Sequence, residues 1–147
     1  MSKAFIIKFF LFFISIATFA QTEKEVEPPF NIKTITFVQN GQNAIPIFSL
    51  NDSFQLQFDD LYGNEANYYY EIVHCNYDWK PSDLTRNEYL RGFDGLRIQD
   101  YSNSLNTLQL FSHYNLSFPT KNTQFLVSGN YDIKILNEER EIVFCPF

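Results

Sequence analysis

The chain has 147 residues, of which 17 are acidic and 11 are basic, so its formal net charge at pH 7 is −6. This length suits one domain with a single hydrophobic core, and the negative charge argues against nucleic acid or an anionic lipid surface as a partner. Aromatic residues make up 18% of the chain and only five glycines are present. That composition favours an antiparallel β-sandwich with a protein interface.

The first 20 residues have the pattern of a secretory signal peptide. Lys3 and Lys8 supply positive charge, the residues around them are almost wholly apolar, and the small residue Ala20 precedes a polar run. The apolar stretch is short for a bilayer-spanning helix, which needs about 20 residues. The sequence therefore predicts export, cleavage before Gln21 and a flexible leader over residues 21–29.

Alternating apolar and polar residues predict the first three strands of the domain. The first covers residues 32–38, and the stretch 40–43 that follows favours a hairpin turn. Ile45–Leu50 is predicted to return as the second strand, placed at a sheet edge by Pro46, which has no N–H for a ladder. Residues 54–58 alternate most regularly and predict a third strand with one buried face.

Residues 67–79 are dense in aromatic and β-branched side chains and predict the strand around which the domain is organised. At two residues per repeat, Glu71 marks the outer face. Because apolar groups occur on both faces, we expect this strand to be central in its sheet. Four side chains share the face expected to meet the core: Tyr68, Tyr70, Ile72 and His74.

The remaining elements are predicted to be short. Thr85 and Glu88 have the spacing of a capping box, which predicts a short helical turn over Arg86–Leu90. Seven or so strands separated by turn residues favour an all-β fold, an immunoglobulin-like or fibronectin-like antiparallel β-sandwich over residues 30–147. Three later segments alternate as strands do: His113–Pro119, Tyr131–Ile135 and Ile142–Phe147.

The two cysteines and two histidines do not predict a metal site. Adjacent His74 and Cys75 point to opposite faces of a strand, so they are poorly placed to bind one zinc ion with His113 and Cys145. The acidic residues that could surround a calcium ion, Asp59, Asp60, Asp94 and Asp100, match no calcium-loop signature in their spacing. An oxidising compartment permits one Cys75–Cys145 disulfide, but two buried thiols are the favoured interpretation.

No catalytic motif is present, and we expect a non-enzymatic protein without a cofactor. The sequence has no nucleophile elbow, no zinc-binding His-Glu-x-x-His helix and no glycine-rich phosphate loop. Aromatic and arginine side chains do gather after the organising strand, and these types often anchor protein interfaces. The alternative is that Trp79 and Phe93 cap one end of the core. The candidate partner-contact residues, all expected to be exposed, are Tyr77, Trp79, Tyr89, Arg91, Phe93 and Arg97.

Three sequence blocks, taken in this order, resemble the N-terminal domain of the type IX secretion system plug proteins of Bacteroidetes. They are NYYYEIVHCNYDWKPSDLTRNEYLRGF, RIQDYSNSLNTLQLFSHYNLSFP and SGNYDIKIL. The resemblance covers roughly residues 30–136. It implies a non-enzymatic component on the periplasmic face of the outer membrane, which closes the large outer-membrane β-barrel translocon of type IX secretion when no substrate is in transit. Membrane association would then run only through that protein partner.

Two further expectations accompany this resemblance. Proteins of that family continue into further domains, whereas this sequence ends as its last predicted strand finishes, so we expect a fragment, a truncated reading frame or a stand-alone domain. An alternative function is a secreted carbohydrate-binding module, in which Trp79 and tyrosine rings stack on sugar rings.

Overall fold

The computed structural model describes residues 26–146, so the predicted signal peptide and most of the predicted leader lie outside the described residues. The described part forms a five-stranded sheet in the order β2-β1-β3-β7-β6, a three-stranded sheet in the order β10-β9-β4 and a ribbon of β5 and β8. The paired strands of the described residues are antiparallel, which confirms the predicted all-β sandwich. The elements are β1 (Ile32–Gln39), β2 (Gln42–Ala44), β3 (Phe54–Asp60), β4 (Tyr69–Cys75), α1 (Arg86–Tyr89), β5 (Leu90–Gly92), β6 (Tyr101–Asn103), β7 (Ser112–Phe118), β8 (Thr123–Phe125), β9 (Asn130–Leu136) and β10 (Ile142–Phe144).

Aromatic rings join the two larger sheets. Phe58 of β3 stacks on Tyr114 of the neighbouring strand β7, with 5.0 Å between ring centroids. Across the sandwich, the ring of Phe58 meets the edges of Tyr68 and Phe144 at 5.3 and 5.2 Å. Stacked and edge-to-face pairs at these distances add to the free energy gained from burying apolar area. The core therefore depends on aromatic side chains supplied by β3, β7 and the two edges of the three-stranded sheet.

A β-bulge in β1 changes which residues face the core. Ile32 and Phe37 are both buried, although five positions separate them and strict alternation would put them on opposite faces. The register against β3 shifts between Lys33 and Thr36, and Thr34 has a left-handed φ of 54°. The extra residue reverses the alternation, so both apolar side chains point inward.

The first hairpin is shorter than the sequence predicts. The turn is confirmed at residues 40–41, where both residues have left-handed φ angles of 52° and 76°. The predicted second strand, Ile45–Leu50, is wrong, because that stretch is a loop and β2 precedes it. Pro46 offers no N–H to a ladder, and the N–H of Ile47 donates locally to the carbonyl of Ile45 at 2.7 Å.

The predicted inward face of the organising strand is confirmed, and Glu71 is exposed on the other face. The prediction that this strand is central is wrong, since β4 lies at the edge of its sheet and β9 is central. An irregular segment covers the edge: the N–H of Gly95 donates to Tyr70 O at 2.7 Å, and that of Ile98 to Tyr68 O at 2.8 Å. The backbone groups of β4 are thus satisfied without a further regular strand.

The two thiols are buried in different parts of the three-stranded sheet. Cys75 pairs with Asn130 at one end of β4, whereas Cys145 follows Phe144 on the opposite side of β9. Two strand spacings of about 4.8 Å already exceed the Cα separation that a disulfide tolerates, about 7 Å. Within the described residues no disulfide joins them, in agreement with the favoured interpretation of two buried thiols.

A buried carboxyl group organises the end of the sandwich where β3 finishes. Asp60 is fully buried, and it accepts hydrogen bonds from Asn31 Nδ2 at 2.8 Å, the backbone N–H of Tyr62 at 3.0 Å and the Tyr68 hydroxyl at 2.9 Å. Burial raises the pKa of Tyr68 above its ordinary value, and the neighbouring Asp60 raises it further. We call this region the Asp60 end.

The opposite end of the sandwich lies where β4 finishes. This strand starts beside Asp60, and farther along it the Tyr70 ring meets Phe118 at 5.6 Å, at the last residue of β7. It then continues to Cys75, which is followed by the turn that carries Trp79. We call this region the Trp79 end.

Candidate functional site

The predicted contact loop begins as a tight turn directly after β4. The N–H of Trp79 donates to Asn76 O at 3.1 Å, and the N–H of Asn76 donates to Lys80 O at 2.8 Å. Trp79 adopts a left-handed φ of 58°, which is uncommon for a bulky side chain and is retained only where surrounding contacts fix the backbone. A hydrogen bond from Lys80 lowers the pKa of Asp78. The turn is therefore well defined in shape.

This turn presents two aromatic side chains to solvent. Tyr77 is 94% exposed and Trp79 is 45% exposed. The half-covered indole and the fully displayed phenol ring offer apolar area together with polar atoms, the combination that is common in interface anchors. Because both belong to one short turn, a partner could contact them together.

Arg91 and Phe93 lie on the next segment, which is held against the edge of β4. Phe93 is 68% exposed, and the Arg86 guanidinium carbon lies 6.0 Å from its ring centroid. Arg86 Nε also donates to Asp94 Oδ1 at 2.6 Å, while Asp94 Oδ2 accepts the N–H of Ile72 at 3.1 Å. This carboxyl group links the segment to β4 and so fixes the position of Phe93.

The short helix α1 confirms the predicted capping box. The backbone N–H and the hydroxyl of Thr85 donate to Glu88 Oε2 at 2.7 and 2.8 Å, and these bonds lower the pKa of Glu88. The helix ends at Tyr89, one residue before the predicted limit. Its role is to return the chain from the Trp79 end into ribbon strand β5.

Tyr89 is buried, which corrects the prediction that its side chain is exposed. Its hydroxyl donates to Ile72 O at 3.1 Å, and its ring lies 5.7 Å from that of His74. Tyr131 meets the same histidine ring edge-on at 5.0 Å, and His74 Nδ1 is 2.8 Å from Ser82 Oγ. Tyr89 therefore packs against β4 and His74 in the interior.

Arg97 is exposed but lies away from the aromatic turn. It forms an isolated bridge with Tyr69 at the start of β4, whereas the turn follows Cys75 at the end. Six residues of strand correspond to about 20 Å. The structure thus groups Tyr77 with Trp79, places Arg91 in β5 and Phe93 directly after it, and separates Arg97 from the aromatic turn.

The described residues contain neither a group of metal-binding side chains nor a helix that could span a membrane. From residue 26 to residue 146, no three side chains of His, Cys, Asp or Glu come together as a possible metal site. The acidic side chains considered for calcium have other partners, as His113 Nδ1 lies 2.7 Å from Asp59 Oδ1 and Asn115 donates to Asp100. Over the same range, no helix has the length and apolarity to span a membrane.

A second exposed apolar surface, at the Asp60 end, was missed by the sequence interpretation. Leu105, Leu108 and Leu110 are exposed on the loop between β6 and β7, and Phe30 and Tyr62 are exposed beside it. The signal in the sequence was the run from residue 101 to residue 112, which has three leucines and no charged side chain. The apolar residues of this run follow neither a helical nor a strand repeat, which could have identified the run as a loop with exposed leucines.

Comparison with known proteins gives this fold a family. Residues 32–146 match the family described as type 9 secretion system plug protein 1st domain. A solved structure, the crystal structure of a hypothetical protein from Parabacteroides merdae, is 36% identical with a TM-score of 0.75. The match covers 80% of this chain but only 31% of that protein, so this chain spans about a third of the length of its structural relative. A search of curated proteins found no significant match. Since the family match extends over most of the sequence, the chain belongs to the type 9 secretion system plug protein first-domain family.

Proposed function

We propose that this chain is a non-enzymatic component of type IX secretion that acts on the periplasmic side of the outer membrane. There it would bind the large β-barrel translocon and help to close its pore when no substrate is in transit. The family match over residues 32–146 carries this proposal. The negative charge, the pattern of a signal peptide and the absence of catalytic motifs in the sequence support it.

The contact is proposed to use the Trp79 end. A plug must bind tightly enough to close the pore and still be released, so a few anchor side chains on a stiff support suit the task better than a large apolar interface. Tyr77 and Trp79 are exposed on a hydrogen-bonded turn, and Phe93 is exposed on the segment after β5, which Asp94 links to Arg86 and to the backbone of β4. Backbone hydrogen bonds from Gly95 and Ile98 cover the outer edge of β4, the strand that leads into this turn.

The first test is recovery of a partner. The tagged full-length chain would be expressed in a Bacteroidetes host, and proteins that copurify from the envelope fraction would be identified by mass spectrometry. We expect the large outer-membrane barrel among them. Recovery of no barrel by a chain that circular dichroism shows to be folded would overturn the proposal.

The second test concerns the surface. Trp79→Ala combined with Arg91→Ala should reduce recovery of the barrel about tenfold or more, because loss of central aromatic and arginine anchors commonly has effects of that size. The control is Ile47→Ala, an apolar residue on the β2–β3 loop that is 84% exposed, more than Trp79. If the double variant and the control recover the barrel equally well, the Trp79 end is not the contact surface.

A further inference from the structure

The Asp60 end carries an apolar surface that the proposed translocon contact does not use. Its exposed side chains come from three separate segments of the chain, and each is more than half exposed. Exposed apolar side chains that lie together on a protein surface often mark an interaction site. We call this group the Leu surface: Phe30, Tyr62, Leu105, Leu108 and Leu110.

Hydrogen bonds hold the leucine-bearing loop in one conformation. The N–H of Ser104 donates to Phe111 O at 2.9 Å, and Ser104 Oγ accepts the N–H of Phe111 at the same distance. Inside the loop, the Thr107 hydroxyl contacts Ser104 Oγ at 3.0 Å and Gln109 O at 2.7 Å. A loop closed in this way loses little conformational entropy when a partner binds to its leucines.

The same loop is fixed to the Asp60 end. Gln109 Nε2 donates to Leu61 O at 2.8 Å, and the backbone of Gly63 packs on Leu110 so closely that an added Cβ would lie 3.0 Å from Leu110 Cβ. On the adjoining segment the rings of Phe30 and Tyr62 meet edge to face at 6.2 Å. Phe30, Tyr62 and Leu110 are therefore held on one supported surface, with the remaining loop leucines next to it.

The charge of this chain and the length of its solved relative together indicate what kind of partner binds the Leu surface. The chain has a net charge of −6, which opposes association of two copies, whereas residues 101–112 carry no charge and would accept an uncharged apolar partner surface. The matched region is called a first domain and makes up only 31% of the solved relative, so most of that relative lies outside the matched region. Interfaces between domains of one chain are often modest in area. The linker between the domains strengthens their contact by raising their effective concentration.

We propose that the Leu surface is a docking site for a neighbouring protein domain with an uncharged apolar surface, of the kind that lies outside the matched region in the longer relative. This inference rests on family membership and on the structure of the Asp60 end, not on binding to the translocon. The sandwich then uses its two ends differently, the Trp79 end for the secretion partner and the Asp60 end for the domain beside it.

The solved relative provides the first test. The exposed areas of its residues aligned with Leu105, Leu108 and Leu110 would be measured with and without the remainder of that protein. We expect the remainder to bury most of this area. Full exposure of all three aligned positions in the complete protein would overturn the proposal.

Binding in solution provides the second test. The Parabacteroides merdae protein lacking its matched region would be titrated with this chain and, separately, with a variant carrying Leu105→Ser, Leu108→Ser and Leu110→Ser. We expect the variant to bind at least tenfold more weakly, while the control Ile45→Ser with Ile47→Ser, on exposed residues elsewhere, binds normally. Equal affinities would refute docking at the Leu surface.

A third test asks whether a second copy of this chain covers the Leu surface. Sedimentation of this chain alone should show a monomer over the concentration range of the titration. A dimer that the triple leucine variant abolishes would assign the surface to a second copy and overturn the neighbouring-domain proposal. Recovery of the barrel by the triple variant should remain normal, so failure of this inference is distinguishable from failure of the proposed function.

Discussion

Replacing Asp60 by alanine should destabilise the domain severely. The change removes the acceptor of three hydrogen bonds and leaves Asn31 Nδ2, the Tyr62 N–H and the Tyr68 hydroxyl without it. An unsatisfied buried donor costs about 1–3 kcal/mol. Because Tyr62 is itself exposed, water can reach some of these donors. We therefore expect the free energy of unfolding to fall by about 3–5 kcal/mol in total. A domain stable by about 5–15 kcal/mol would then be near the limit of folding.

The neighbouring residue provides a matched control. Asp59 alternates to the outer face of β3, where its carboxyl group contacts His113 in a partly exposed pair. Such pairs contribute about 0–1 kcal/mol, so Asp59→Ala should have a small effect. Urea unfolding followed by circular dichroism gives both free energies of unfolding. The explanation of the Asp60 end is refuted if the two alanine variants lose the same stability.

A double-mutant cycle would test whether the Tyr68 hydroxyl is bonded to Asp60. Tyr68→Phe alone should cost about 1 kcal/mol, because it removes one hydrogen bond to a buried carboxyl group. In the Asp60→Ala background the same change should cost less, since the bond is already lost. Strictly additive effects would show that the Tyr68 hydroxyl and Asp60 do not interact in solution.

Two other predictions follow from the packing. Gly92→Ala should destabilise the domain by more than Gly41→Ala when measured by urea unfolding: both positions have left-handed φ, but a Cβ at residue 92 would lie 1.8 Å from Asn122 O, whereas residue 41 faces open space. Equal losses would contradict this. Burial raises the pKa of Tyr114 and Tyr131 to about 12, so the fold favours their neutral forms. That contribution to stability is complete below pH 10 and is lost as the pH rises to about 12. We expect alkaline unfolding in that window, with late phenolate absorbance at 295 nm; full tyrosine titration near pH 10 with unchanged circular dichroism would refute it.

Local patterns in the sequence were sufficient for the single strands. The alternation in β3 and β7 and the inward face of β4 could be predicted because a strand with one buried face repeats every two residues. The capping box likewise predicted α1, since its hydrogen bonds join residues three positions apart. These features depend on neighbours in the chain.

The order of the strands and the exposure of single side chains required contacts between distant segments. β4 has apolar groups on both faces, as a central strand would, yet it lies at an edge because residues 94–98 satisfy its outer backbone groups. The exposure of Tyr89 was misjudged for a related reason, since Ile72 O and the ring of His74 enclose it from another segment. Composition cannot reveal such partners.

By itself, the sequence determined the fold class, the family resemblance and the residue types able to form an interface. The tertiary structure alone decided where those residues lie: it separated Arg97 from Trp79 by the length of β4, and it left Leu105, Leu108 and Leu110 exposed at the opposite end. The physical reason is that hydrophobic periodicity reports the preferred face of one strand. The packing of sheets and loops then determines which faces and ends remain available to a partner.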